Sequence, residues 1–131
     1  MTAGQKPDVH DLPEYQLARQ TRDLIKQTTA QTIWTEQWEW LEIGIIREAN
    51  RLTQTLEDGY KSDLIAEWIL GISSCRNAVV MSDYIFTFLE GQEMLAPELA
   101  GPILKSLKEL MRAIMGLSQQ LRQELTARKS N

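Results

Sequence analysis

Residues 33–56, IWTEQWEWLEIGIIREANRLTQTL, contain the clearest helical pattern of the chain and decide its fold class. Large apolar residues recur there at steps of three and four positions, and at about 100° per residue they fall on one face of a helix. These residues are Trp34, Trp38, Leu41, Ile45, Ala49, Leu52 and Leu56. The pattern predicts an amphipathic helix with Trp34 and Trp38 in the core. The following Asp58-Gly59 pair predicts its end, because glycine tolerates the left-handed conformation.

The segment Asp11-Leu-Pro-Glu14 has the residues of an earlier helix start. Asp11 can accept hydrogen bonds from the free N–H groups of a first turn, and Pro13 has no N–H that would be left unpaired there. A first helix is therefore predicted from this segment, and residues 1–10 are predicted to be a flexible tail. Residues 26–32, KQTTAQT, lack a large apolar residue and contain three threonines, which favours a turn over one continuous helix.

A third helix is predicted from Ser62-Asp63 to Leu89, and it is apolar around most of its circumference. A helix of this kind is usually buried, so we expect it to be the central element of the fold. A membrane span is the competing interpretation. The charges of Glu67, Arg76 and Asp83 argue against it, because each costs about 3 kcal/mol at the centre of a bilayer.

Residues 90–102 contain two glycines and two prolines and predict a connector, after which a last amphipathic helix is predicted to begin at Pro102. The 131 residues are enough for one domain. Long amphipathic helices of similar length can bury their apolar faces by lying side by side. We therefore predict an all-α fold, a four-helix, mainly up-and-down antiparallel bundle, with residues 11–131 as its single domain.

Trp40 is the tryptophan that does not fit the buried stripe. It lies about 160° around the helix from Trp38. On its own line it is accompanied by two isoleucines, a glycine and two arginines, a composition enriched at protein–protein interfaces. The predicted interface consists of Ile33, Trp40, Ile43, Gly44, Arg47 and Arg51. The alternative is that the first helix of the same chain folds back over this line, and the sequence does not decide between the two.

Residues for catalysis or metal binding are scarce. His10 is the only histidine and lies before the first helix, and Cys75 is the only cysteine and has no histidine near it in sequence. A buried structural thiol is therefore expected rather than a nucleophile. Glu36, Glu39 and Glu42 have a spacing that could hold a metal, but no Glu-x-x-Asp pair follows them, and a solvated edge is the favoured interpretation. We predict no catalytic residues, no metal and no cofactor.

The charge of the chain limits its partners. A formal net charge of −4 and a pI of about 5.0 argue against nucleic-acid binding, because phosphate contacts require clustered lysine and arginine. The first residues have no apolar signal segment, and a single cysteine forms no intrachain disulfide, so the cytoplasm is the predicted location.

Glu48 and Arg76 are candidates for an interhelical ion pair. The favoured alternative is that Arg76 and Asp83 lie on a solvent-facing strip of the third helix.

Two classes of function remain. The first is a non-catalytic protein–protein interaction module, such as an adaptor, regulator or chaperone-like protein, that self-associates as a homodimer through surplus apolar surface. The second is a helical small-ligand binder or enzyme with an interhelical pocket lined by Trp68, Tyr84 and Met81. The size of the protein in solution distinguishes the two classes.

Overall fold

The computed structural model describes residues 6–130, and within them the fold consists of four long helices without a strand. They are α1 (Pro13–Gln31), α2 (Glu39–Tyr60), α3 (Ile65–Gly91) and α4 (Pro97–Ser130). Short 3-10 turns at Val9–Asp11 and Glu36–Trp38 precede α1 and α2. In this part of the chain no helix is long and apolar enough to cross a membrane.

The helices form the predicted four-helix bundle. α1 packs against α2 and α4, and α3 also packs against α2 and α4. Because short connections join successive helices, neighbours in sequence run antiparallel and each helix occupies one corner of the bundle. The predicted up-and-down antiparallel arrangement is confirmed.

All four helices contribute side chains to one continuous core. The largest completely buried side chains are those of Ile25, Ile45, Leu52, Leu56, Ile72, Val79, Phe86, Leu89, Ile103, Leu107, Leu110 and Ile114. Each buried aliphatic or aromatic side chain of this size stabilises the fold by about 1.5–3 kcal/mol. The core therefore requires all four helices to be docked together.

The helix predicted from residue 33 begins later than expected. Residues 33–38 form the connection between α1 and α2, and α2 begins at Glu39. The indole N–H of Trp34 donates to the carbonyl oxygen of Thr29 at 3.3 Å. Thr29 lies in the last turn of α1, and its carbonyl oxygen also accepts the backbone N–H of Thr32 at 3.2 Å. Trp34 therefore caps the preceding helix, and both Trp34 and Trp38 are half-buried from the connection rather than from α2.

The boundaries of α1 and α4 also differ from the predicted ones. Leu12, not Asp11, precedes the first residue of α1, because Asp11 belongs to the 3-10 turn before it. Pro13 is the first helical residue, as predicted. α4 begins at Pro97, and Pro102 lies inside it. Pro102 is the sixth residue of α4, so its missing N–H removes the helical hydrogen bond to the Glu98 carbonyl oxygen.

The helix end predicted at Asp58-Gly59 is confirmed to within one residue, although Gly59 is not left-handed and instead permits close contact with α3. A Cβ atom built on Gly59 would lie 2.9 Å from the Cα atom of Gly71, and one built on Gly71 would lie 2.7 Å from the carbonyl oxygen of Thr55. Such distances are shorter than side chains tolerate, so α2 and α3 approach through the two glycines. The helix continues past Gly59 to Tyr60.

A left-handed residue follows the end of α3. Glu93 has a φ of 58°, the Glu93 N–H donates to the Glu90 carbonyl oxygen at 3.0 Å, and the Met94 N–H donates to the Leu89 carbonyl oxygen at 2.9 Å. These two bonds are those of a Schellman motif, in which the left-handed position is usually glycine. The connection to α4 follows directly from this motif.

Candidate docking groove

An open groove of about 510 Å³ lies between the N-terminal half of α2 and the C-terminal half of α3. Because the two helices are antiparallel, these halves lie at the same end of the bundle. The lining residues are Trp38, Trp40, Leu41, Ile43, Gly44, Arg47, Glu48, Met81, Tyr84, Ile85 and Phe88. We call this site the α2–α3 groove.

The residues that line each wall of the groove share one face of their helix. On α2, Trp40, Gly44 and Arg47 follow one another at steps of four and three residues, and on α3, Met81 and Phe88 lie two turns apart. Side chains at this spacing share one face of their helix. Each wall is therefore a line on the outer side of a helix whose opposite side lies in the core.

Trp38 joins the two walls at the end of the bundle. Its ring lies 6.1 Å from the ring of Phe88 at an interplanar angle of 60°, and 6.2 Å from the ring of Trp40 at 39°. Aromatic pairs at these distances attract one another beyond the area they bury. The 3-10 turn before α2 thus carries the side chain that closes this end of the groove.

Glu48 forms the polar end of the groove. Its side chain is 6% exposed, and its carboxylate lies 3.2 Å from Arg51 Nη1 and 3.9 Å from Arg47 Nε. A buried carboxylate requires a cation to offset the loss of hydration. Arg76, the predicted alternative partner of Glu48, is exposed, in agreement with a solvent-facing position on α3.

The walls of the groove remain largely uncovered. Trp40 is 63% exposed, Ile43 71%, Met81 47%, Tyr84 72% and Phe88 36%. At about 200 Å² for each large side chain, they expose on the order of 600 Å². An apolar surface of this size is at the upper end of what monomeric proteins expose, and such surfaces are often functional.

α1 does not cover the side of α2 that carries Trp40, Ile43, Gly44 and Arg47. α1 contacts another flank of α2, where Lys26 Nζ lies 3.2 Å from Asn50 Oδ1 and Arg22 Nη1 lies 3.3 Å from Thr53 Oγ1. Trp40 remains exposed. The alternative in which the first helix covers this line is therefore wrong for the single chain.

The structure brings together most of the predicted interface. Trp40, Ile43, Gly44 and Arg47 line the α2–α3 groove, and Arg51 reaches it through its ion pair with Glu48. Ile33 does not line it. It is 95% exposed in the connection before α2.

The wall on α3 was not predicted as part of this interface, although Met81 and Tyr84 were assigned to an alternative pocket. Trp68, the third residue of that pocket, is buried against Tyr60, with ring centroids 5.1 Å apart. The sequence feature that indicates this wall is the apolar character of α3 around most of its circumference. This helix lies at a corner rather than at the centre of the bundle, so one apolar side faces outward.

The reactive side chains singled out in the sequence lie elsewhere. Cys75 is buried in α3, its Sγ atom lies 3.3 Å from the carbonyl oxygen of Leu52, and burial raises the pKa of its thiol to about 12. His10 Nδ1 lies 2.6 Å from Asp8 Oδ1. Within residues 6–130, no three His, Cys, Asp or Glu side chains are grouped so that they could hold a metal ion.

Comparisons with protein-family models, with curated proteins and with solved structures found no match for this chain.

Proposed function

We propose that this protein is a non-catalytic protein–protein interaction module and that its partner in the α2–α3 groove is a second copy of the same chain. The observation that carries the proposal is the contiguous, uncovered apolar surface of Trp40, Ile43, Met81, Tyr84 and Phe88. Burying such a surface against a partner removes it from water, which is the main favourable term in association. A homodimer of this kind suits an adaptor, regulator or chaperone-like protein.

The area of the surface fits a dimer. Two copies that cover one another's groove would bury at most about 1,200 Å² of these side chains, which is the lower end of the range for specific interfaces. Trp40 and Tyr84 are of the residue types that dominate binding energy, and Arg47 and Arg51 would lie at the rim. Two-fold pairing closes the assembly and leaves no groove uncovered.

The chemistry of the groove supports a role without catalysis. Of its lining residues, only Arg47, Glu48 and Tyr84 have ionisable side chains, and Glu48 is paired with arginine. General acid–base or nucleophilic catalysis needs a reactive group that can reach a substrate. The buried thiol of Cys75 does not line the groove.

A single buried cysteine also supports the cytoplasm as the location, because no intrachain disulfide is needed.

A binder of a small apolar ligand is the competing function, because about 510 Å³ lies within the range of ligand sites. Such sites usually bury at least about 70% of the ligand surface. The α2–α3 groove is open, and Trp40 and Tyr84 are themselves more exposed than buried. The openness of the walls favours a protein surface as the occupant.

Sedimentation equilibrium over a hundredfold range of concentration tests the proposal. We expect a species of twice 15.0 kDa for the natural chain and a 15.0 kDa monomer for Tyr84→Asp. Leu70→Asp is the matched control, because Leu70 is 60% exposed on the same helix but does not line the groove. It should remain dimeric. A natural chain that stays at 15.0 kDa throughout, or a Leu70→Asp variant as monomeric as Tyr84→Asp, would contradict the proposal.

A further inference from the structure

The charged residues of α2 and of the turn before it are separated along the helix, and this separation determines how two copies can pair. Glu36 and Glu39 lie on the N-terminal side of Gly44, whereas Arg47 and Arg51 lie on its C-terminal side. All four are exposed. Within the described chain neither Glu36 nor Glu39 takes part in an ion pair, and the two arginines share the single carboxylate of Glu48. One end of the segment is therefore acidic and the other carries a net positive charge.

We infer that the two copies pair with their α2 helices antiparallel about a two-fold axis beside Gly44, so that Glu36 and Glu39 of each copy face Arg47 and Arg51 of the other. This inference rests on the proposed dimer and names its register. A two-fold interface uses the same surface on both copies, so an acidic and a basic end on one surface complement each other when the copies are reversed.

The spacing along α2 fits this register. Glu39 precedes Gly44 by five residues, so an axis beside Gly44 places it opposite position 49 of the other copy, between Arg47 and Arg51. A helix rise of about 1.5 Å per residue then leaves about 3 Å along the axis to either arginine, and Arg47, about 80° around α2 from Glu39, is the closer of the two in angle. A parallel pairing would instead set Arg47 against Arg47 and Glu39 against Glu39, which is repulsive.

Gly44 provides the space for the two helices to approach. It lines the groove, and a Cβ atom built on it meets no other group of the chain within 4 Å. A Cβ atom at this position is therefore compatible with the fold of one chain, a longer side chain would extend toward the open groove, and helix propensity favours most residues over glycine. Only the second copy would clash with it.

A charge exchange tests the register. One variant carries Glu36→Lys and Glu39→Lys, and the other carries Arg47→Glu, Arg51→Glu and Glu48→Gln, the last change removing a buried carboxylate that would otherwise lose both cations. Each variant alone should dimerise at least tenfold more weakly than the natural chain, because like charges then face one another. An equimolar mixture should form a heterodimer, measured by native mass spectrometry, that weakens as salt is raised from about 0.05 M to about 1 M.

Two further variants separate this inference from the proposed function. Gly44→Leu should retain the helical circular dichroism signal and lose the dimer. Lys105→Glu with Arg112→Glu, a similar reversal of two positive charges on exposed positions of α4, should leave dimerisation unchanged. A natural chain that dimerises while the charge exchange yields no preferred heterodimer, or while Gly44→Leu dimerises normally, overturns the register and leaves the dimer standing. A monomeric natural chain overturns both.

Discussion

The hydroxyl group of Tyr15 links α1 to the end of α2 through a hydrogen bond to Glu57 Oε1 at 2.5 Å. The side chain is buried, and the ring lies 4.9 Å from the ring of His10 in an edge-to-face contact. Burial, followed by the hydrogen bond to the Glu57 carboxylate, raises the pKa of Tyr15 from 10.0 to about 12. Both causes disfavour the phenolate in the folded chain.

This shift makes the folded state sensitive to alkaline pH. Because the folded-state pKa of Tyr15 lies above the unfolded value, its contribution to stability is complete below pH 10.0 and is lost as the pH rises through about 12. We expect the free energy of unfolding to fall over this range. In Tyr15→Phe the fall should be smaller, although Cys75 and Tyr60, whose pKa values burial also raises, continue to contribute. Urea unfolding at a series of pH values measures the fall in the free energy of unfolding for the natural chain and for Tyr15→Phe. An equal fall in these two proteins would contradict the role given to Tyr15.

At the scale of elements, the contact between α2 and α3 depends on two small residues. Gly59 and Gly71 allow the two backbones to approach, and Trp68 covers the same crossing, with its ring 3.3 Å from the position of a Cβ atom on Gly59. The crossing lies at the opposite end of the helix pair from the α2–α3 groove. The helices are thus fixed at one end by backbone contact, while Trp38 and Phe88 set their separation at the other.

Gly71→Ala should therefore destabilise the protein by about 1–3 kcal/mol, because the new methyl group meets the carbonyl oxygen of Thr55 at 2.7 Å and a helix backbone must move. Gly116→Ala in α4 is the matched control, since nothing lies within 4 Å of its Cβ position. It should stabilise the protein by up to about 1 kcal/mol, the usual difference between alanine and glycine inside a helix. Urea denaturation measures both changes, and the same sign for the two variants would contradict the close crossing.

At the scale of the whole molecule, the bundle has more apolar surface than its own core can bury. α3 faces α2 and α4 but also exposes Leu70, Val80, Met81 and Tyr84. A helix at the corner of a four-helix bundle buries one side, so an apolar circumference leaves part of its surface in water. The part beside α2 forms the groove.

If a second copy covers the groove, association should stabilise the folded state by mass action. We expect the urea midpoint of the natural chain to rise with protein concentration. The midpoint of Tyr84→Asp should not change, because that variant unfolds as a monomer. Circular dichroism at chain concentrations differing by about a hundredfold measures the shift, and a concentration-independent midpoint for the natural chain would count against the dimer.

The sequence by itself determined the fold class and one wall of the candidate site. Apolar periodicity is a local property, and a helix fixes the angle between successive residues. The four segments and the common line of Trp40, Ile43, Gly44 and Arg47 could therefore be predicted without knowing which helices touch.

Only the tertiary structure decided the rest. Trp34 and Trp38 have helical spacing, yet they lie before α2, because the Trp34 indole pairs with a carbonyl group at the end of α1. Gly59 resembles a helix stop, and α2 does end one residue after it, yet Gly59 is not left-handed and instead gives α3 room to approach. The apolar circumference of α3 does not reveal whether the helix lies at the centre or at a corner. The position of α3 depends on which helices pack against each other in the folded chain. Its corner position places Met81, Tyr84 and Phe88 opposite Trp40 and so completes the groove.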